Sequence, residues 1–352
     1  MLKSVRVVGS GLIGTSIALA LGARGVACQM IDSNPVAQEL AHDLVSGSQL
    51  YDPELVIFAL PTSQLCLVID DEFELNPNSI FMDVGSVKSE VIREVEKSTL
   101  PLSRFVPTHP MAGREIGGPH SARGDLFAAR TWVITPTSEC NPMAIALVSE
   151  LIEAVGAELL ILAADEHDRA VATVSHLPQI TASLLAQSLL TTPEDWLELS
   201  GAGLRDTVRI ASSDAALWSE IIYSNREEIS LRAKQMHSEL GQLIDRLEDK
   251  EEIARFIERG RDGRSRIPGK HGGRAREYSN LPIVIDDKPG QLGAIFNECA
   301  KISVNVEDLS IEHSPGQLSA LITLALSESD AIALSAHLSA IGWNVHPILK
   351  TK

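Results

Sequence analysis

The segment Val8-Gly9-Ser10-Gly11-Leu12-Ile13-Gly14 constrains this chain more than any other. A short β-branched run at residues 5–8 meets three glycines spaced G-x-G-x-x-G, and an apolar helical pattern through Ile17, Leu19, Ala20 and Leu21 follows. Each glycine has its own physical task. Gly9 permits a tight strand-to-helix turn, Gly11 lets a pyrophosphate approach the backbone, and Gly14 lets the new helix pack closely on the strand. The helix then offers free N–H groups and the positive end of its dipole to phosphates. A second β-like run at 26–31 ends in Asp32, roughly 20 residues on, where an acid reaches a ribose 2′-hydroxyl. This combination points to a dinucleotide site. A purely structural turn, or a methyltransferase using adenosyl-methionine, would share part of the signal. Asp32 favours NAD, because a carboxylate pairs with the 2′,3′-diol and repels the 2′-phosphate of NADP. The expected cofactor-binding residues are Gly9, Gly11, Leu12, Ile13, Gly14 and Asp32, with Pro61 and Thr62 after the strand at 55–60.

At 352 residues the chain is long enough for two or three domains. Its net charge of −17 disfavours nucleic acid and anionic membranes as partners. Cys28, Cys66, Cys140 and Cys299 form no C-x-x-C pairs, so they read as buried reduced thiols in a cytoplasmic protein, with neither a disulfide frame nor a zinc site. Met1-Leu2-Lys3 runs directly into the first strand, which argues against a secretory leader. The apolar stretch 144–164 is broken by Glu150, Glu153 and Glu158, and reads as a helix and a strand, not a membrane span.

Strand-like and helical runs alternate over residues 1–164, the signature of a parallel sheet covered on both faces. Further strands are expected at 80–84, 104–106, 131–134 and 158–162. Residues 165–260 read as helix almost throughout, with Pro178 interrupting one long pattern near His176 and a second long helical region at 214–247. A helical block of this length buries its apolar face against a second copy, which predicts a homodimer. Residues 261–276 read as a basic, glycine-rich linker or an anion-binding strip. Residues 277–352 follow a β-α-β-β-α-β order, the ferredoxin-like plan, with a strand expected at 304–311 and a turn at 314–316, and carry no acid–base constellation.

Four features could carry chemistry. Ser86 follows a strand in Gly85-Ser86-Val87-Lys88, where a helix cap is the plainer reading. His109 lies in Thr108-His109-Pro110-Met111-Ala112-Gly113, at a strand's C-terminal edge, a position suited to proton transfer. His176 lies beside Pro178, where a satisfied helical histidine is the plainer reading. Arg205 and Arg209 could each clamp a carboxylate, or lie on the surface.

Taken together, these motifs resemble the prephenate/arogenate dehydrogenase family of tyrosine biosynthesis, in the form with a C-terminal ACT domain. The matching pieces are the glycine loop, Asp83-Val84-Gly85-Ser86-Val87-Lys88, Thr108-His109-Pro110-Met111-Ala112-Gly113 and Asp165-Glu166-His167-Asp168. Ser175-His176-Leu177-Pro178 and Arg205-Asp206-Thr207-Val208-Arg209-Ile210-Ala211 follow in order, with Trp218 beyond. Asp287-Lys288-Pro289-Gly290-Gln291-Leu292 and Val304-Asn305-Val306 look like the ACT pattern. The resemblance implies a Rossmann-type N-terminal domain, an all-α second domain for dimerisation and an α+β regulatory domain. It implies NAD-dependent oxidative decarboxylation of prephenate, with arogenate as the alternative substrate and a non-catalytic sensor as a remote one. His109 and Ser86 would be catalytic, and His176, Arg209 and Trp218 would bind substrate. An aromatic amino acid, tyrosine as end product, would bind the tail near Asp287, Gly290, Leu292 and Asn305. The chain departs from many relatives at Gln179, where a second histidine is expected, and at Arg114, where a basic residue is not.

Overall fold

The computed structural model describes residues 2–47, 49–114, 116–267, 278–313 and 319–350. The chain divides into two compact units, residues 1–241 and 242–352. The first begins with β1 (Ser4–Val8), α1 (Leu12–Gly22), β2 (Ala27–Ile31), α2 (Pro35–Val45), β3 (Leu55–Phe58), α3 (Thr62–Leu75), β4 (Ile80–Asp83), α4 (Lys88–Lys97) and β5 (Phe105–Val106). These strands form a parallel sheet in the order β2-β1-β3-β4-β5. Alternate residues serve opposite faces: Val5, Val7, Leu55 and Ile57 fill one core cluster, and Val8, Val56 and Phe58 the other. The strand order reverses between β1 and β3, so the loops after these two strands flank the crevice where such sheets bind ligands.

The single parallel sheet expected from the sequence is in fact two. β6 (Thr108–Pro110), β7 (Thr131–Ile134) and β8 (Glu158–Ile161) form a separate three-stranded sheet, with β6 antiparallel to β7. Pro107 accounts for the change. It has no N–H to continue the ladder with β4, and its carbonyl instead accepts the Thr135 N–H at 2.9 Å. The helix α5 (Pro142–Ala154) lies between β7 and β8 in sequence, capped by Asn141, which accepts the Met143 N–H at 2.9 Å.

The rest of this unit is helical: α6 (Ala164–Val171), α7 (Leu177–Ser188), α8 (Glu194–Leu197), α9 (Ala202–Val208), α10 (Ala215–Ser224) and α11 (Arg226–Ile244), whose last residues pass into the second unit. A π-helical turn, Ala172–His176, joins α6 to α7, and Pro178, which has no N–H to donate to the helical ladder, follows immediately in the first turn of α7. The interruption near His176 is thus present. The second long region is broken at Asn225, between α10 and α11.

The second unit opens with α12 (Lys250–Ser265), capped by the Asp249 carboxylate. The expected linker therefore begins later than residue 261. Glu251 and Glu252 at the N-terminus, Arg264 near the C-terminus and the Arg255–Glu252 ion pair support the helix through Gly260 and Gly263. Lys270, Arg274 and Arg276 of the expected strip lie outside the described residues, as does the expected turn at 314–316. β9 (Ser279–Asp286), α13 (Gln291–Lys301), β10 (Asp308–His313), β11 (Ser319–Leu326), α14 (Glu328–Ala340) and β12 (Asn344–Val345) give the β-α-β-β-α-β order, with sheet order β10-β11-β9-β12. A further strand, β13 (Leu349–Lys350), also pairs with β9. Residues 304–306, expected in a strand, precede β10 as an irregular segment. Of the four cysteines expected to be buried, Cys66 is exposed. No helix among the described residues is long and apolar enough to cross a membrane.

Candidate active site

The glycine loop is shaped by contacts across the crevice. Gly9 has φ +110°, and a Cβ there would overlap the Ala59 carbonyl after β3. A Cβ on Gly14 would overlap the Gly9 carbonyl and the Val7 side chain. Both glycines are required by the chain's own packing. Gly11 is different: a Cβ there would meet no protein atom, yet Gly11 lines a cavity of about 330 Å³. The absent side chain leaves the α1 N-terminus open toward that cavity, with no side-chain cap and no acidic residue in its first turn. Asp32 stands beyond β2, its carboxylate held by the N–H groups of Ser10 (2.6 Å) and Asn34 (2.8 Å). These residues fit the diphosphate and ribose of a dinucleotide.

Leu12, Ile13, Pro61 and Thr62 line the same cavity as Gly11. The wall continues through Gly85 and Ser86 after β4, through Ala112, Gly113 and Arg114 after β6, and through Trp218 and Glu220 of α10. Ser86 is placed by a buried network beneath it. Asp83 accepts from the Gly85 N–H (2.7 Å), the Thr108 N–H (3.1 Å) and the Lys88 ammonium, and Lys88 also donates to the Thr108 carbonyl at 2.6 Å. Lys88 is wholly buried; burial pulls its pKa down while the Asp83 carboxylate opposes the shift. The Thr108 hydroxyl accepts from the Trp132 indole N–H (2.9 Å), joining β6 to β7.

His109 and His176 are not on the cavity wall. They belong to a buried polar cluster that links β6, α6, the π turn and Asn225. His109 Nδ1 lies 2.9 Å from His167 Nε2, and His167 Nδ1 lies 2.8 Å from Asp168 Oδ1. Asp168 also accepts the Lys88 and Ser89 N–H groups, at 2.8 and 2.9 Å, so it caps α4. Burial works to raise the Asp168 carboxyl, but hydrogen bonds from His167, Lys88 and Ser89 together hold it at about 2. The Asn225 amide donates to the Asp168 carbonyl (2.8 Å) and meets His176 Nδ1 at 3.1 Å. The His176 ring stands edge-on to Trp218, 6.1 Å between centroids. Lys88, His167, Asp168 and Asn225 were not assigned roles from the sequence; the Asp83-Val84-Gly85-Ser86-Val87-Lys88 and Asp165-Glu166-His167-Asp168 motifs were the available signal for the first three.

Arg209 begins a 3-10 turn, Arg209–Ser212, and is exposed; it is not among the residues lining the cavity, although Ser213 and Asp214 just beyond it are. At the histidine-to-glutamine departure, Gln179 donates to the Ile210 carbonyl at 3.0 Å and so ties α7 to that turn. Arg114 donates to the Ser121 carbonyl at 3.0 Å. In the second unit, Gly290 takes φ +90° ahead of α13, Leu292 is half-exposed, and Asn305 donates to Glu307 at 2.9 Å.

Burial lowers the His176 ring from its ordinary 6.5 to about 4, with His167 adding to the shift and Asp168 opposing it. Such a ring binds fewer protons folded than unfolded. Its contribution to stability is therefore complete above pH 6.5 and is lost as the pH falls toward 4. The loss is on the order of 3 kcal/mol. Urea midpoints measured from pH 7 to 4 should fall more steeply for the wild type than for His176→Phe; equal slopes would show that the ring is solvated.

An open glycine turn at the reversal point of a parallel sheet, an acid beyond the second strand and a histidine cluster beside the cleft define a dinucleotide-dependent dehydrogenase. Residues 9–161 match the family model for the prephenate dehydrogenase nucleotide-binding domain, and residues 163–259 match that for its dimerization domain. A probable prephenate dehydrogenase of Streptomyces niveus is 29% identical, over 97% of this chain and 99% of that protein. A cyclohexadienyl dehydrogenase of Zymomonas mobilis is 30% identical, over 63% of this chain and 81% of that protein. Among solved structures, prephenate dehydrogenase of Aquifex aeolicus in complex with hydroxyphenyl propionate and NAD+ superposes with a TM-score of 0.68 at 26% identity, covering 75% of this chain and 98% of that one. The chain belongs to the prephenate dehydrogenase family, and it is an NAD-dependent oxidoreductase.

Proposed function

We propose that this chain oxidatively decarboxylates prephenate to 4-hydroxyphenylpyruvate. The observation that carries the reading is a cavity bounded by the open α1 N-terminus, Ser86 and Trp218, with β6, the strand that carries His109, tied to the Ser86 turn through Asp83 and Lys88. Bound NAD supplies the acceptor for the hydride of the carbinol carbon. His109 takes the proton of the 4-hydroxyl, and Ser86 donates a hydrogen bond that orients it. The ring carboxylate departs as carbon dioxide, the electron pair of the broken C–C bond aromatises the ring, and the resulting phenolate oxygen takes the proton back from His109. Trp218 bounds the substrate on the helical side, and His176, edge-on to its ring, backs it from the buried side.

Arg209 is the proposed clamp for a substrate carboxylate. A charge-assisted bond of this kind contributes about 1.5–3 kcal/mol. Arg209→Ala should therefore raise KM for prephenate roughly 10–100-fold with a smaller effect on kcat. An unchanged KM would place the clamp elsewhere.

The reading extends to a cytoplasmic homodimer paired through the helical region, whose Leu190, Leu199, Leu217 and Tyr223 are exposed apolar side chains. It also extends to tyrosine as an effector held by the second unit near Asp287, Gly290, Leu292 and Asn305. The test is nicotinamide reduction followed by absorbance, with prephenate and arogenate each offered with NAD and NADP, then repeated with added tyrosine. Turnover of prephenate with NAD supports the reading. Turnover of arogenate alone replaces the substrate and keeps the site, and silence in every mixture sinks the enzyme assignment. Unchanged rates with tyrosine remove the effector.

A further inference from the structure

The His109 cluster contains more than a base. Three buried groups stand in line: His109 at 9% exposure, His167 at 1% and Asp168 at 4%. The facing atoms are 2.9 and 2.8 Å apart, and the two rings cross at 76° with centroids 5.1 Å apart. Hydrogen-bond direction along this line follows from its far end. Asp168 Oδ1 accepts the Lys88 N–H and Oδ2 the Ser89 N–H, as a carboxylate at a helix N-terminus does. A carboxylate can only accept, so His167 must carry a proton on Nδ1. With the rings uncharged, His167 Nε2 is then a lone pair, and the proton between the rings belongs to His109 Nδ1. Among the described residues, no protein group is bonded to His109 Nε2.

We propose that His167 and Asp168 are positioning residues that hold the His109 proton on Nδ1 and leave the Nε2 lone pair for the substrate hydroxyl. This rests on the reading of His109 as the base. When the hydroxyl O–H bond breaks, its proton forms an N–H bond at Nε2. The resulting imidazolium keeps donating from Nδ1 to His167, and the Asp168 carboxylate beyond balances its charge. The same logic orients the histidine of a serine-protease triad, where a buried carboxylate selects the tautomer without taking the proton itself. Here a second imidazole stands between carboxylate and base.

The charged and titratable groups around His109 decide what a pH profile would show. His167, the Lys88 ammonium and His176 oppose a positive charge on His109; Asp168 alone among them favours it, and the Asp83 carboxylate is engaged with Lys88. Removing the Asp168 charge therefore moves the acid limb of kcat/KM to lower pH while lowering the plateau.

The experiment compares Asp168→Asn, His167→Gln and His167→Phe with His109→Ala, using full-length protein, prephenate and saturating NAD. Glutamine places an amide oxygen near the position of Nε2 and can still accept from His109 Nδ1; phenylalanine cannot. Asp168→Asn and His167→Phe should lose on the order of 10²-fold in kcat with little change in KM. His167→Gln should stay within about 10-fold of wild type, and the acid limb of Asp168→Asn should shift downward. Because Asp168 also caps α4, the His167 pair decides the matter if Asp168→Asn does not fold. A wild-type plateau and limb in Asp168→Asn, or equal losses in His167→Gln and His167→Phe, would overturn the proposal while His109→Ala remains inactive. Wild-type turnover in His109→Ala would instead remove the base, and the positioning role with it.

Discussion

His109→Ala is expected to lower turnover roughly 10²–10⁴-fold, the span that a positioned general base contributes. Affinity for NAD should be unchanged, because the dinucleotide residues Gly11, Leu12 and Ile13 at the start of α1 and Asp32 just beyond β2 make none of the bonds holding His109. The environment suits the role. Burial, then His167, Lys88 and His176, push the His109 pKa well below its ordinary value, while Asp168 pulls the other way. The ring is therefore neutral near pH 7, with a lone pair available to accept a proton. A steady-state kcat, together with an NAD titration followed by tryptophan fluorescence, separates the two effects. Retained turnover would exclude His109 from the chemistry; lost NAD binding would mean that the substitution had damaged the fold of the crevice.

Different parts of this site were legible in the sequence to different degrees, for physical reasons. The glycine loop is readable because its constraints are local. A left-handed φ at Gly9 and a close approach at Gly14 both appear as a missing side chain, and the atoms that impose them belong to Val7 and Gly9 of the same β1–α1 unit and to Ala59 just beyond β3. Ser86 and His109 could be singled out as residues after strand ends. Their supporting partners could not. Asp168 is 80 residues from the Lys88 N–H it accepts, and Asn225 is 57 residues from the Asp168 carbonyl. Asn225 falls inside an unbroken helical pattern, so nothing local marks it as the break between α10 and α11. The three-stranded sheet was also hidden, because a two-residue strand followed by Pro107 reads the same whether the chain stays in the first sheet or leaves it. In α12, arginine and glycine content suggested a linker, whereas the Asp249 cap and the early glutamates of that helix point to its start.

Lys88 shows most sharply how a residue type that is ordinarily solvent-exposed can support the site from within. Lysine is almost never fully buried without a partner, and here the ammonium is satisfied by Asp83 and the Thr108 carbonyl. Lys88→Met keeps the volume and removes the charge. The Asp83 carboxylate is then left buried, with only the Gly85 and Thr108 N–H groups for company. Breaking a buried ion pair from one side costs about 3–5 kcal/mol. Urea unfolding should show that loss as a lower midpoint with an unchanged slope. The double variant Lys88→Met with Asp83→Asn should be more stable than Lys88→Met alone, because no uncompensated charge remains and the amide oxygen can still accept one of the two N–H bonds. A cost below about 1 kcal/mol for the single variant would mean that water reaches the pair and screens it. The same contacts anchor the turn that presents Ser86 and the strand that presents His109. A variant that survives by relaxing them should therefore lose kcat before it loses NAD affinity, since the α1 glycine loop keeps its own supports.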